Sequence, residues 1–321
     1  SRETQILYVG SEPQLPVEHP ETPPIYPSTA NIIQDMDDYD RANKGEKYYY
    51  CRTANPNRDG VAQAVSYLEH GEQSLVCSSG MAAISTTILS LVKAGDHIIT
   101  SNAIYGETIE LFDRIVKKFG VEVTYVDLTD SDAVEQAIQK NTRLIYTEII
   151  TNPLIRIIDI DAITRIAHKA GALVVVDSTF TTPFAICPLE HGADIVVHSM
   201  TKYFGGHSDI TAGCITGPKK LMKKIYSDYL LFGGCLDPQN SWLLLRSIRT
   251  MKCVSPASLP MLRHWLKPCK PTRMSAMSII RLFPTTLSIS WLKHYCPMAA
   301  VPCSVSEWKM TGRKSMNSCT A

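Results

Sequence analysis

Apolar positions along this 321-residue chain form short continuous runs, separated by stretches with helical spacing. Runs of four to eight apolar residues bounded by turn residues read as buried strands, and recurrence every three to four residues reads as a helix packed on one face. The pattern predicts a helix over Gly60 to Glu69, a strand over Gln73 to Cys77 and a second helix opening at Gly80. It continues with strand Asp96 to Ser101, helix Thr108 to Phe119, strand Val121 to Val126 and helix Ser131 to Gln139. Strand Leu144 to Thr147, helix Ile160 to Lys169 and strands Leu173 to Asp177 and Asp194 to His198 follow. Strands alternating with helices predict an α/β fold with a mostly parallel sheet and right-handed crossovers.

Two strand ends carry chemistry. Val196-Val197-His198-Ser199-Met200-Thr201-Lys202 places one lysine between two hydroxyls just past a strand, ahead of Gly205-Gly206. Such a lysine is expected to be held partly buried in a cleft, which disfavours its ammonium form and frees the amine for Schiff-base chemistry. Leu173-Val174-Val175-Val176-Asp177 is a second apolar run, and it ends in a carboxylate. Ligands of open parallel sheets bind beyond the carboxyl ends of strands, so Asp177 and Lys202 should open onto one crevice. A carboxylate for a pyridine nitrogen and an amine for an aldehyde are the two protein groups pyridoxal phosphate needs. Taken singly, each has an ordinary reading: a surface lysine in a turn, and a helix N-cap.

Further residues fit a phosphate. Ser78-Ser79-Gly80-Met81 is a small-residue turn opening a helix, where free N–H groups and the positive dipole end favour an anion. We assign the phosphate to the amides of Gly80 and Met81 with the hydroxyls of Ser199 and Thr201. Tyr50 and Arg52 lie two apart on an extended segment, so they point the same way and could hold a phosphate together. Otherwise they belong to a solvated tyrosine-rich loop.

Asp177-Ser178-Thr179-Phe180, Pro188-Leu189-Glu190-His191-Gly192-Ala193-Asp194 and Ser199-Met200-Thr201-Lys202 through Asp209 resemble the signature of the Cys/Met-metabolism (trans-sulfuration) family of pyridoxal-phosphate enzymes. The resemblance runs from about Thr22 to about Met251. It implies the large domain of a type I PLP-dependent transferase, aspartate aminotransferase-like, with a small C-terminal domain that is truncated or atypical here. By resemblance, Lys202 anchors the cofactor and acts as general base and acid, and Asp177 keeps the pyridine nitrogen protonated. Tyr105 is implied to stack on the ring and assist the leaving group, and Asn152 to bond the phenolic oxygen. Glu148 could order the same loop, and His207 reads as structural. Tyr50 and Arg52, within a Tyr-Cys-Arg that replaces the family's Tyr-Ser-Arg, are implied to serve a neighbouring subunit's site. The implied assembly is a homotetramer built as a dimer of catalytic dimers.

The implied reaction is γ-elimination on a sulfur-containing amino acid, giving a 2-oxo acid, ammonia and a thiol. Asp209-Ile210-Thr211-Ala212-Gly213 is similar to methionine gamma-lyase, whereas Glu107 stands where bacterial methionine gamma-lyases often carry cysteine. Two alternatives stay open: γ-replacement by an incoming thiol, as in cystathionine gamma-synthase or O-acetylhomoserine sulfhydrylase, and a chain with a cofactor cradle but no working substrate site.

Net charge is +1, yet residues 254–321 hold nine Lys and Arg against one acid, Glu307, and one glycine, Gly312. Composition breaks at Cys253. We read residues 1–55 as an arm contacting a partner subunit, 56–250 as the cofactor-binding domain, and 251–321 as either out-of-frame sequence or a divergent domain. The family's substrate-carboxylate arginine has no identifiable position there. The basic charges are scattered rather than striped, which argues against nucleic acid. No apolar run reaches membrane-spanning length, so a cytoplasmic setting without membrane contact is expected. Ten cysteines without paired spacing point to reduced thiols, with Cys51, Cys77, Cys187 and Cys214 as small packing residues. No metal-ligand spacing is present.

Overall fold

The computed structural model describes residues 20–251; the start of the arm and the tail lie outside the described residues. Seven strands form one sheet: β1 (Gln73–Cys77), β2 (His97–Thr100), β3 (Glu122–Tyr125), β4 (Thr142–Glu148), β5 (Leu173–Asp177), β6 (Ile195–Ser199) and β7 (Gly213–Gly217), in the order β1-β7-β6-β5-β4-β2-β3. Pairings from β3 through to β6 are parallel. Strand β7 runs antiparallel to both of its neighbours and brings β1 into the sheet. The expected α/β architecture is therefore present, with one antiparallel strand that the apolar pattern did not announce. Gly-Cys-Ile-Thr-Gly is short and bracketed by glycines, so its continuous burial comes from its position in the sheet.

Register explains how this sheet builds a site. Tyr146 is level with Val175 and Glu148 with Asp177, while Val197 is level with both Asp177 and Ile215, and Ser199 with Gly213. Side chains alternate faces every residue, so Glu148, Asp177 and Ser199 extend the same face as Tyr146, Val175 and Val197. The apolar members of that face pack with Ala83, Ile84 and Ile88 of helix Gly80–Leu91. Polarity enters only at the carboxyl ends of the strands. The opposite face, Val174, Val176 and Val196, packs against helix Ile160–Lys169 through Ile160, Ile163 and Ile166.

Predicted boundaries moved where caps act. Asn55 caps the helix Pro56–Leu68, which therefore starts four residues before Gly60. The helix expected from Thr108 begins at Gly106, runs α-helically to Leu111, and continues as a π turn over Phe112–Val116. Helices Lys219–Phe232 and Pro238–Ile248 complete the described chain. None of the described helices is long and apolar enough to cross a membrane.

The arm segment Pro23–Tyr26 is strapped to this chain's own helices. Trp242 Nε1 donates to Pro23 O at 2.8 Å, Asn57 Nδ2 to Pro24 O at 2.7 Å, and the Tyr26 N–H to Asn57 Oδ1 at 2.8 Å.

A β-carbon on Gly213 would stand 2.2 Å from Ser79 O, a backbone atom that cannot rotate away. Gly213→Ala should therefore lower stability by about 1–3 kcal/mol, the usual cost of forced overpacking. Thermal denaturation reads this directly. A variant that melts with the wild type would show that the strand and turn do not meet this closely.

Candidate active site

Helix Gly80–Leu91 is capped by Ser79, whose hydroxyl accepts the Ala82 N–H at 3.0 Å. The helix start lies directly on β6: a β-carbon on Gly80 would be 2.7 Å from Ser199 Cβ and 3.0 Å from Ser199 Oγ. Only glycine leaves room for this approach, and it puts the Ser199 hydroxyl beside the first N–H groups of the helix. Gly80, Met81 and Ser199 are thus brought together as the sequence predicts, in a turn whose donors suit a phosphate. Thr201 lies beside them on the next turn, where its hydroxyl donates to Ala212 O at 3.2 Å and accepts the Ala212 N–H at 3.1 Å.

On the adjacent strand β5, Asp177 is 9% exposed. Its Oδ1 accepts the Thr179 N–H at 2.9 Å, and the Tyr146 hydroxyl donates to Oδ2 at 3.4 Å. Thr179 Oγ1 in turn accepts the Ser199 N–H at 2.8 Å, linking the carboxylate's turn to the lysine's strand. Burial pushes the Asp177 carboxyl up from its usual range, against the Thr179 hydrogen bonds and the charge of His198.

Glu148 does what the sequence suggested and more. Its Oε1 accepts the Tyr105 N–H at 2.8 Å and its Oε2 the Asn152 N–H at 2.8 Å, so one buried carboxylate fixes the loops after β2 and β4. Burial first, and the Asp177 charge beside it second, push Glu148 up to about 8. Tyr105 is 39% exposed, and Asn152 is half-buried. Both are therefore placed at the carboxyl edge of the sheet by the same anchor.

Lys202 departs from expectation. It is exposed rather than partly buried. The turn Ser199–Gly206 is pinned by Met200 and Phe204, exposed 0% and 2%, and the residue midway between them faces outward. Backbone bonds from Gly205 N–H to Met200 O and from Gly206 N–H to Lys202 O, both 2.8 Å, hold that turn. His207 Nδ1 sits 2.7 Å from Gly205 O, in keeping with a structural role.

Tyr50 and Arg52 come together but not with the groups above. The Arg52 guanidinium lies over the Tyr50 ring at 5.4 Å and donates to Leu230 O at 2.7 Å. Sequence reasoning missed what holds them. Arg58 is 3% exposed and donates to Cys51 O at 2.8 Å, Arg52 O at 3.1 Å and Leu236 O at 3.4 Å. It also missed Tyr146 and Thr179, although the Tyr-Thr-Glu alternation at the end of β4 is a signal that two polar groups share a face.

The profile of the Cys/Met metabolism PLP-dependent enzyme family matches residues 3–254. The chain is 44% identical over 212 residues to cystathionine gamma-lyase of Bacillus subtilis (strain 168), a match covering 66% of this chain and 56% of that one. It is 40% identical over 252 residues to the cystathionine gamma-synthase/O-acetylhomoserine (thiol)-lyase of the same organism, covering 78% and 65%. A solved structure, cystathionine gamma-lyase from Lactobacillus plantarum complexed with L-serine, superposes with a TM-score of 0.70 at 38% identity, covering 76% of this chain and 63% of that one. The chain therefore spans between half and two thirds of the length of these proteins. The family profile covers well over half of the chain, and the chain belongs to the Cys/Met metabolism PLP-dependent enzyme family, whose cofactor is pyridoxal 5'-phosphate.

Proposed function

We propose that this chain binds pyridoxal phosphate at the edge formed by β4, β5 and β6, and catalyses γ-elimination on sulfur-containing amino acids. The observation that carries the reading is the shared face of Glu148, Asp177 and Ser199, with the Gly80 turn closed onto it. When bound, pyridoxal phosphate withdraws the electrons released as bonds to the substrate's carbons break. The N–H groups of Gly80 and Met81 and the hydroxyls of Ser199 and Thr201 hold its phosphate. Asp177, whose carboxylate accepts from Thr179 N–H and the Tyr146 hydroxyl, would keep a proton on the pyridine nitrogen. Tyr105 would lie against the ring, and Asn152 would donate to the phenolic oxygen. Lys202 would anchor the carbonyl carbon; once the substrate's amine takes its place there, the freed Nζ would take the proton from substrate Cα and return protons to the product. The Tyr105 hydroxyl donates to the departing γ-substituent. For methionine, water is consumed, the Cγ–S bond breaks, and methanethiol, 2-oxobutanoate and ammonium leave.

Tyr50 and Arg52 serve the phosphate of a second copy's site; in their own chain the Arg52 guanidinium lies over the Tyr50 ring and donates to Leu230 O. In a mixture, Lys202→Ala chains should lend Tyr50 and Arg52 to chains carrying Tyr50→Phe and Arg52→Ala. Each variant alone should fall by about 10²-fold or more, and mixing them should restore activity that neither shows. Mixtures as inactive as their components would refute a shared site.

γ-Replacement is the second reading, supported by the likeness to a gamma-synthase with thiol-lyase activity in its name. Release of 2-oxobutanoate from methionine or cystathionine without added thiol supports elimination. Consumption of an O-acylated homoserine only when a thiol is supplied would replace it.

The carboxylate pair also predicts a pH dependence. Glu148 and Asp177 both hold protons more tightly when folded than when unfolded. Between the unfolded value of 4.5 and the folded value of about 8 for Glu148, the native state binds more protons, so stability falls as pH rises through that window. Urea midpoints of the cofactor-free protein should decline across it, and Asp177→Asn should flatten the decline by removing the neighbouring charge. A wild-type midpoint that rises over the same range would overturn this account.

A further inference from the structure

On the sheet face opposite the cofactor cradle, Ile149, Ile150 and Ile186 line a groove of about 770 Å³ with Pro183 and Phe184. Its rim brings His70 to Cys187 and Glu190, two groups three residues apart and more than a hundred residues from it in sequence. One imidazole nitrogen, the thiol sulfur and one carboxylate oxygen all lie within 4.8 Å of one another. We propose that these three side chains bind a divalent zinc-class cation, with water or a groove ligand in the fourth position.

The chemistry of the set selects the ion. Thiolate, imidazole and carboxylate together suit zinc, whereas magnesium and calcium take oxygen donors alone. Bond lengths in zinc sites place neighbouring ligand atoms about 3.4–3.6 Å apart. His70 Nδ1 and Glu190 Oε1, at 2.6 Å, need to separate by only about 1 Å to reach this. They have the freedom to do so, since their side chains are 59% and 56% exposed. Cys187 supplies the fixed point: it is 8% exposed, and its Sγ lies 3.4 Å from both Leu68 O and Pro183 O. His70 follows the end of helix Pro56–Leu68 in the left-handed conformation, φ 55°, that commonly stops a helix.

The test uses the cofactor-loaded protein, dialysed against Co²⁺ as the probe and analysed for bound metal. Wild type should retain one equivalent more than His70→Ala and Cys187→Ser, and its cobalt should show a thiolate charge-transfer band that Cys187→Ser lacks. The cofactor's own absorption should be the same in all three, because none of these residues touches its site. His70 is exposed, so His70→Ala keeps the test decisive if the buried serine variant fails to fold. Equal uptake by wild type and His70→Ala, or bound cobalt without the thiolate band, would overturn the site.

Discussion

Two carboxylates placed level at the ends of adjacent strands constrain everything around them. Glu148 and Asp177 are 6% and 9% exposed and have no cation bonded to either oxygen pair among the described residues. Burying such groups is unfavourable unless hydrogen bonds or a positive charge offset the loss of water. The chain solves half of the problem itself. Backbone N–H groups of Tyr105, Asn152 and Thr179 converge on the two groups, and these three loops become the walls of the crevice. In the proposed function the other half falls to a protonated pyridine ring, and the buried carboxylates would then be a recognition element for the cofactor.

The same logic extends to the phosphate end. Gly80 and Gly213 allow a helix start and two strands to approach until no β-carbon fits between them. Close approach aims the helix's N–H groups at a fixed point, and Ser199 adds a hydroxyl at that point. In the proposed function, phosphate and pyridine would be gripped at two places along one sheet edge, with Lys202 in the chain's path from β6 to β7.

Much of this was legible in the sequence, and the gaps have physical causes. Strands β1 and β5 and the helix Ile160–Lys169 coincide with their predicted limits, because apolar runs ended by glycine or by a capping carboxylate leave little latitude. Asp177, Ser199 and Gly80 were visible since each abuts such a run. The exposure of Lys202 was not, because it depends on Met200 and Phe204 burying the two sides of its turn. Strand β7 was hidden by its glycines. Helix Lys219–Phe232 does carry helical spacing at Met222, Ile225 and Tyr229, half masked by four lysines. The grouping of His70 with Cys187 and Glu190 was hidden because only the fold closes the distance from His70 to the other two.

Strand β7 also bears on the order in which the molecule comes to exist. Its partner β1 pairs Gln73 with Gly217, a separation of roughly 140 residues, and contacts this remote carry a large loop-closure cost. During synthesis from the N-terminus, β1 and the apolar underside of helix Gly80–Leu91 must wait for β6 and β7 to emerge before they find their places. The Gly80 turn, proposed above to hold the phosphate, sits on that junction. It is therefore among the last parts of the sheet to close, and on that proposal a nascent chain would gain its hold on the cofactor only when nearly all of the described domain has left the ribosome.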